Sequence, residues 1–180
     1  AVFTYSLLLT SLAKINPFVF FTKMREAIIF AFSTSSSSAT MPVTLKTVEE
    51  KLGVDKSVSS FCIPLGTTIN MDGTAIMQGV ATVFIAQVYQ VDLSMMEYLM
   101  VIITATLASI GTAGVPGVGL IMLAMVLQQV GLPVEGIALI IGVDRLLDML
   151  RTAVNVSGDA TISCIIANSE NQLSRKDFIS

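Results

Sequence analysis

Four long stretches without a charged residue constrain this chain more than any single motif. Residues Ala27 to Leu45, Ser57 to Met71, Gly73 to Val91 and Tyr98 to Val134 contain no Asp, Glu, Lys or Arg. A helix that crosses a bilayer needs about twenty mostly apolar residues, and a soluble core seldom requires uncharged runs of this length. Composition agrees: 53% of the 180 residues are apolar and 13% charged, against about a quarter charged in an ordinary soluble domain. The expectation is an all-α, multi-pass membrane protein of the cell membrane. The chain begins at Ala1 inside an apolar run, without an initiator Met or a signal-peptide pattern, and is read as a piece of a longer protein.

Several chemistries are disfavoured at once. A net charge of -3 offers no footprint for nucleic acid. The absence of histidine removes the commonest general base and metal ligand. Cys62 and Cys164 lie in apolar surroundings without metal-ligand spacing and are read as packing residues.

The gap from Tyr98 to Val134 is too long for one ordinary span and too short for two with a loop. Its middle, Ser109 to Gly119, carries Gly111, Gly114, Gly117 and Gly119 with Pro116, which stop a helix there. The simplest solution is a re-entrant hairpin of two half-length helices with its tip at membrane depth. Bared backbone is tolerated there only where protein or a wet cavity meets it. A kinked helix in a bundle is the plainer alternative. An earlier segment has the same form: apolar residues to Phe32, a run from Ser33 to Thr40 rich in Ser, then Pro42 and a second arm. Each tip is followed by an apolar segment with a polar break, at Ile69 to Thr74 and at Val154 to Asp159. Hairpin then interrupted helix, twice, suggests a repeat with a binding site at its interface.

The expected organisation is the end of a preceding helix at 1–12 and a transport domain at 13–180. Within the latter, hairpin 1 covers about 17–53, a broken helix 57–91, hairpin 2 95–131, a last helix 134–168 and a tail 169–180. Lys14, Lys23, Arg25, Lys46, Lys51 and Lys56 flank the first hairpin, and Arg175 and Lys176 lie in the tail, whereas the turns near Asp92 to Glu97 and Leu132 to Glu135 have none. The positive-inside rule puts the first hairpin's base and the tail in the cytoplasm and the second hairpin's base outside. The two tips then approach from opposite sides, like two gates.

Asp144, Asp148, Arg151, Asn155 and Asp159 are spaced by three or four. At about 100° per residue they fall within an arc of roughly 80°. Such a stripe is costly against lipid and should face a cavity or partners, unless it is only an ion-pair ladder such as Asp148 with Arg151. Arg151 offers a fork suited to a carboxylate, Asp148 can take an ammonium, and Asn155 can donate to a second carboxylate. Together these describe an acidic amino acid. Asp72, Asp159 and Asn70 are hard oxygen ligands that suit sodium when joined by carbonyls freed at helix breaks.

The segments Ser35-Ser-Ser-Ser-Ala-Thr-Met-Pro42, Asn70-Met-Asp-Gly-Thr74, Ser109 to Gly117 and Asp148 to Asp159 closely resemble, in order and spacing, the dicarboxylate/amino acid:cation symporter family, which includes the excitatory glutamate transporters. Inverted repeats are a known property of that family, so the repeat read above follows from the resemblance as well. The resemblance implies a sodium-coupled symporter for aspartate or glutamate that assembles as a homotrimer through a scaffold region outside this chain. It implies a substrate pocket of Ser35, Ser36, Ser37, Thr74, Val115, Gly119, Asp148, Arg151, Thr152 and Asn155. In it Arg151 would hold the side-chain carboxylate and Asp148 the amino group. One sodium would sit on Gly66, Asn70, Asn155 and Asp159, and a second on Thr68, Ser109, Ile110 and Thr112. A third would use Asn70 and Asp72 with residues of a helix this chain lacks.

Relatives carry an arginine where this chain has Ser35 or Met149, which leaves open whether Arg145 fills that role. Gln78 stands where animal relatives have a glutamate linked to proton coupling, which argues against such coupling here. Among rivals, a serine-nucleophile enzyme lacks a base, having neither histidine nor a lysine between Arg25 and Lys46, and the chain is read as no enzyme. A channel fits two opposed gates less well than a carrier does. A C4-dicarboxylate would leave Asp148 without a cation, and a neutral amino acid would leave Arg151 without a counter-charge.

Overall fold

Pro17 and Asn16 show how local chemistry starts the helices of this chain. The Asn16 side chain accepts from the Phe18 amide (2.9 Å) and Pro17 occupies the first helical position, where a missing N–H costs nothing. The computed structural model describes residues 1–110 and 114–178. Its described residues are all-helical apart from one isolated antiparallel bridge, Val54 with Leu173.

Helix α1 (Val2–Leu8) widens into a π turn (Leu9–Ala13) and stops at Lys14, which is left-handed. The chain then turns by 119° into α2 (Pro17–Thr34). Ser35 ends α2 in the left-handed region (φ 53°), and Ser36 caps α3 (Ser37–Glu50) by accepting from the Ala39 amide at 3.1 Å. Asp55 caps α4 (Lys56–Ile69); its bonds from the Ser57 hydroxyl and amide hold its carboxyl below the usual carboxylate range. At Asn70 and Met71 the backbone leaves the helix, and α5 (Asp72–Val88) begins. A capping box of Ser94 and Glu97 starts α6 (Met95–Ser109). After the tip, α7 (Val118–Gln129) starts from Gly117 at φ 81°, a value that favours glycine. A 3-10 turn (Val134–Ile137) leads into α8 (Ala138–Ser169).

The second polar break is not a break. Helix α8 runs without interruption through Val154 to Asp159. No proline lies there, Ser157 and Thr161 return their hydroxyls to the Ala153 and Ser157 carbonyls (both 2.8 Å), and Asn155 and Asp159 bond to other elements. Polar residues with tertiary partners do not unwind a helix; only the Asn70–Met71 step is interrupted. Among the described residues no single helix is long and apolar enough to cross a membrane alone, while the bent pair Val2–Ala13 and Pro17–Thr34 is so when taken together.

The apolar interior divides in two. Phe20 and Met24 of α2, Val48 of α3, Ile63 of α4 and Val156, Ala160 and Cys164 of α8 form one cluster. Met77 and Ile85 of α5, Val101 of α6, Leu123 and Leu127 of α7 and Ile140 of α8 form the other. Only α8 contributes substantially to both, so its segment from Asp148 to Asn155 lies at the seam. Cys62 and Cys164 are buried free thiols within the first cluster, as packing residues should be. At one end the tail returns: the Asp55 amide donates to Gln172 (3.0 Å) and the Ser174 amide to Gly53 (2.8 Å), which ties the α3–α4 linker to the end of α8.

Helix α5 touches α8 most closely at Gly73, where an added Cβ would strike the Arg151 backbone carbonyl. Gly73→Ala should therefore push the two helices apart at a cost of about 1–3 kcal/mol, a loss of several degrees in the thermal midpoint. Gly79→Ala, on the same helix with nothing within 4 Å of the added Cβ, should be neutral or slightly stabilising because alanine is the better helix former. Thermal unfolding of the two purified full-length variants checks the contrast.

Candidate functional site

At the seam α8 turns Asp148, Arg151, Thr152 and Asn155 inward, and all four are buried. A small cavity of about 10 Å³ lies between Arg151, Thr152 and Asn155 on one side and Ser35 and Ser37 of the first tip, Met71 and Thr74 at the start of α5, and Gly114 and Val115 of the second tip on the other. Arg151 and Asp148 form an ion pair through Nη2 and Oδ1. The other Asp148 oxygen accepts from the Gly117 amide at 2.9 Å. The ion pair that the ladder reading required is thus present, but it uses only half of the guanidinium fork.

Among the described residues, three polar atoms around this cavity are buried without a hydrogen-bond partner: Arg151 Nη1, Thr74 Oγ1 and Ser35 Oγ. An unsatisfied buried group costs about 1–3 kcal/mol, and a charged one more. The three converge from α8, α5 and the first tip, and a guanidinium N–H is the kind of donor that suits a carboxylate. The Asn155 amide is oriented for the same task. Its oxygen accepts from the Gly73 amide (2.8 Å), and its Nδ2 meets only the weak acceptor Sδ of Met71 at 3.1 Å.

The two tips meet over this cavity. The Gly114 carbonyl accepts from Ser36 Oγ (2.7 Å) and from the Ser38 amide (3.2 Å). A Cβ at Gly114 would come within 2.9 Å of Ser38 Oγ, so glycine permits the approach. Gly119 is buried against Arg151, and a Cβ there would overlap Nη1. Gln78, fully buried, donates to the Gly119 carbonyl at 3.5 Å.

A second polar cluster lies one turn further along α8. Asn70 Nδ2 donates to Asp159 Oδ1 (2.9 Å) and reaches the Asn155 carbonyl at 3.5 Å. Gly66 abuts the Asp159 carboxylate so closely that a Cβ would overlap it. Asp72 accepts from the Tyr5 hydroxyl at 2.8 Å. Hence Asn155 joins the two clusters, its side chain on the first and its carbonyl on the second. No group of three Asp, Glu, Cys or His side chains occurs among the described residues. Carboxylates and neutral oxygens in this ratio fit a monovalent cation better than a divalent one, which collects several charges.

The expected residues do not all converge. Thr68 is exposed with its hydroxyl on the Leu65 carbonyl (2.9 Å), and Ile110 is exposed at the end of α6. Ser109 is buried, bonds the Thr106 carbonyl (2.8 Å), and lines a cavity with Tyr5 and Asp72. Thr112 lies outside the described residues. Arg145 is exposed, so it does not take the place of an arginine at Ser35 in the cavity. Met71 stands inside the Asn70–Thr74 motif without a role of its own, and Tyr5 enters no motif. Tyr5 stands between Thr4 and Ser6 near the start of the chain, and only the folded chain brings it to Asp72.

Comparison with known proteins identifies the family of the chain. The family described as sodium:dicarboxylate symporter matches residues 1–169. An excitatory amino acid transporter of Caenorhabditis elegans is 53% identical over 147 residues, covering 82% of this chain and 29% of that protein. Excitatory amino acid transporter 1 of Homo sapiens is 47% identical over 178 residues, covering 98% of this chain and 33% of that protein. Excitatory amino acid transporter 3 of Mus musculus is 52% identical over 163 residues, covering 91% and 30%. The chain spans about a third of the length of the curated relatives it matches.

Because the obstacle at Gly119 is the flexible end of Arg151 rather than backbone, Gly119→Ala should fold while displacing the fork. Binding of a carboxylate ligand should weaken about tenfold or more, the equivalent of about 1.4 kcal/mol. Equilibrium binding to the purified variant checks this, and unchanged affinity in a folded Gly119→Ala protein would show that the fork does not hold the carboxylate.

Proposed function

The chain belongs to the sodium:dicarboxylate symporter family, and from that premise we propose that it is the substrate-carrying part of a secondary active symporter that moves aspartate or glutamate with sodium. The observation that carries the reading is the buried cavity with a half-used guanidinium at Arg151 and unsatisfied hydroxyls at Thr74 and Ser35. Relatives named as excitatory amino acid transporters support it.

In this mechanism Arg151 Nη1 takes the substrate's side-chain carboxylate. Asp148 accepts the ammonium alongside its existing bonds, since a carboxylate has about four lone-pair sites. Asn155, Thr152, Thr74 and the backbone near Ser36, Ser37, Val115 and Gly119 complete the pocket. Sodium, a cargo here, binds Gly66, Asn70, Asn155 and Asp159, with Asp72 serving a further ion and Thr68, Ser109, Ile110 and Thr112 another. Shared use of Asn155 couples ion and substrate. Gln78 in place of an acid leaves the carrier without a proton-coupling group at that position.

Helices α2 with α3, about 17–53, and α6 with α7, about 95–131, act as opposed re-entrant hairpins whose tips gate the cavity. The segments 57–91 and 134–168 complete the repeat, and residues 1–12 end a preceding span. Exposed apolar side chains on the outer faces, among them Val80, Phe84, Ile102, Leu107 and Ile121, support a setting in the cell membrane against lipid and against scaffold helices of a homotrimer. The positive flanks of the first hairpin put its base and the tail in the cytoplasm.

A second reading, a C4-dicarboxylate substrate, is favoured by one observation: both Asp148 oxygens already have donors, Arg151 and the Gly117 amide, so no ammonium is required to satisfy it. Competition by aspartate, glutamate, serine and succinate against a labelled substrate separates the two. In the wild type, aspartate or glutamate should compete far better than succinate or serine. Arg151→Cys should lose acidic substrates by about a hundredfold or more, in line with the roughly 2–5 kcal/mol of a truncated charge pair, and keep or gain small neutral amino acids. A folded Arg151→Cys protein that still prefers aspartate to serine removes Arg151 from the specificity role.

A further inference from the structure

Helix α1 brings one polar side chain to the cation cluster, and a glycine makes room for it. Tyr5 is 5% exposed, and its hydroxyl donates to Asp72 Oδ2 at 2.8 Å. It also lies 3.4 Å from the Val154 carbonyl of α8. A Cβ added at Gly158 would sit 2.8 Å from the Tyr5 hydroxyl and 2.5 Å from Asn70 Nδ2. Gly158 is therefore the point where Tyr5, from α1, and Asn70, from the break between α4 and α5, converge on α8.

We infer that Tyr5 is a positioning residue for Asp72, and that the gap at Gly158 is what lets it reach that carboxylate. The inference rests on Asp72 being a sodium ligand, as proposed above. A phenol has one proton to give, and here it fixes one carboxylate oxygen. The other oxygen is thereby oriented without the rotational freedom that a lone Asp at a helix start would have to lose on binding an ion. Tyr5 does not line the cavity around Arg151, so its influence falls on the ion and not directly on the organic substrate.

The test uses purified full-length protein and two readouts: sodium-dependent thermal stabilisation, and the sodium concentration giving half-maximal uptake. Tyr5→Phe should raise the sodium requirement about three- to tenfold in both and leave substrate affinity at saturating sodium unchanged. Gly158→Ala, which crowds Tyr5 and Asn70 away, should shift sodium in the same direction. Asp72→Asn should shift it further, and adding Tyr5→Phe to Asp72→Asn should do nothing more, since the two act through one carboxylate. A Tyr5→Phe protein with lowered thermal stability but an unmoved sodium titration, beside an Asp72→Asn protein that is shifted, overturns this inference alone. An unmoved titration in Asp72→Asn overturns the reading of Asp72 as a ligand, and this inference with it.

Discussion

Burying a charged stripe at the seam of two apolar clusters is the constraint from which the rest of this structure follows. Asp148, Arg151, Asn155 and Asp159 are each at most 7% exposed. Isolated charges in such a place cost several kcal/mol each, so every neighbouring element is arranged to meet them. The second tip supplies the Gly117 amide to Asp148. The start of α5 supplies the Gly73 amide to Asn155. The break at Asn70 supplies an amide donor to Asp159. Among the described residues, Arg151 Nη1, Thr74 Oγ1 and Ser35 Oγ stay unsatisfied around the cavity between the tips, and these unmet groups are what a ligand can meet.

The same constraint accounts for five of the glycines. Gly66, Gly73, Gly119 and Gly158 each stand where a Cβ would run into a group of the polar face or its partners. Gly114 stands where the tips touch. These are not simply flexible points. They let backbone approach closely enough for amides and carbonyls to serve as ligands. Among the described residues, the second tip meets its neighbours through the Gly114 carbonyl with Ser36 and Ser38 and the Gly117 amide with Asp148.

Much of this was legible in the sequence, and the physical reasons differ by element. Uncharged runs, Gly-Pro clustering and capping residues act locally, so the helical class and the break after Ile69 could be read from them. The stripe on α8 was legible because helical geometry fixes which residues share a face. The unbroken course of α8 was not, since Asn155, Ser157 and Gly158 disfavour a helix on local propensity and tertiary partners reverse that preference. Nor was Tyr5, whose role depends on a contact 67 residues away. Thr68 and Ile110 were expected beside Ser109, yet Thr68 is exposed with its hydroxyl on its own helix and Ile110 is exposed at the end of α6, while Ser109 faces Asp72. Spacing along the chain cannot specify which face of a helix end turns toward which neighbour.

Asn155 belongs to both clusters at once, and this makes the account most directly testable through linkage between their ligands. Aspartate affinity of the purified full-length protein should be measured by titration calorimetry at low and high sodium, and sodium affinity without and with saturating aspartate. The account predicts that each ligand strengthens the other by the same factor, of order tenfold or more, as reciprocity requires. Aspartate binding that is equally tight at every sodium concentration would contradict it.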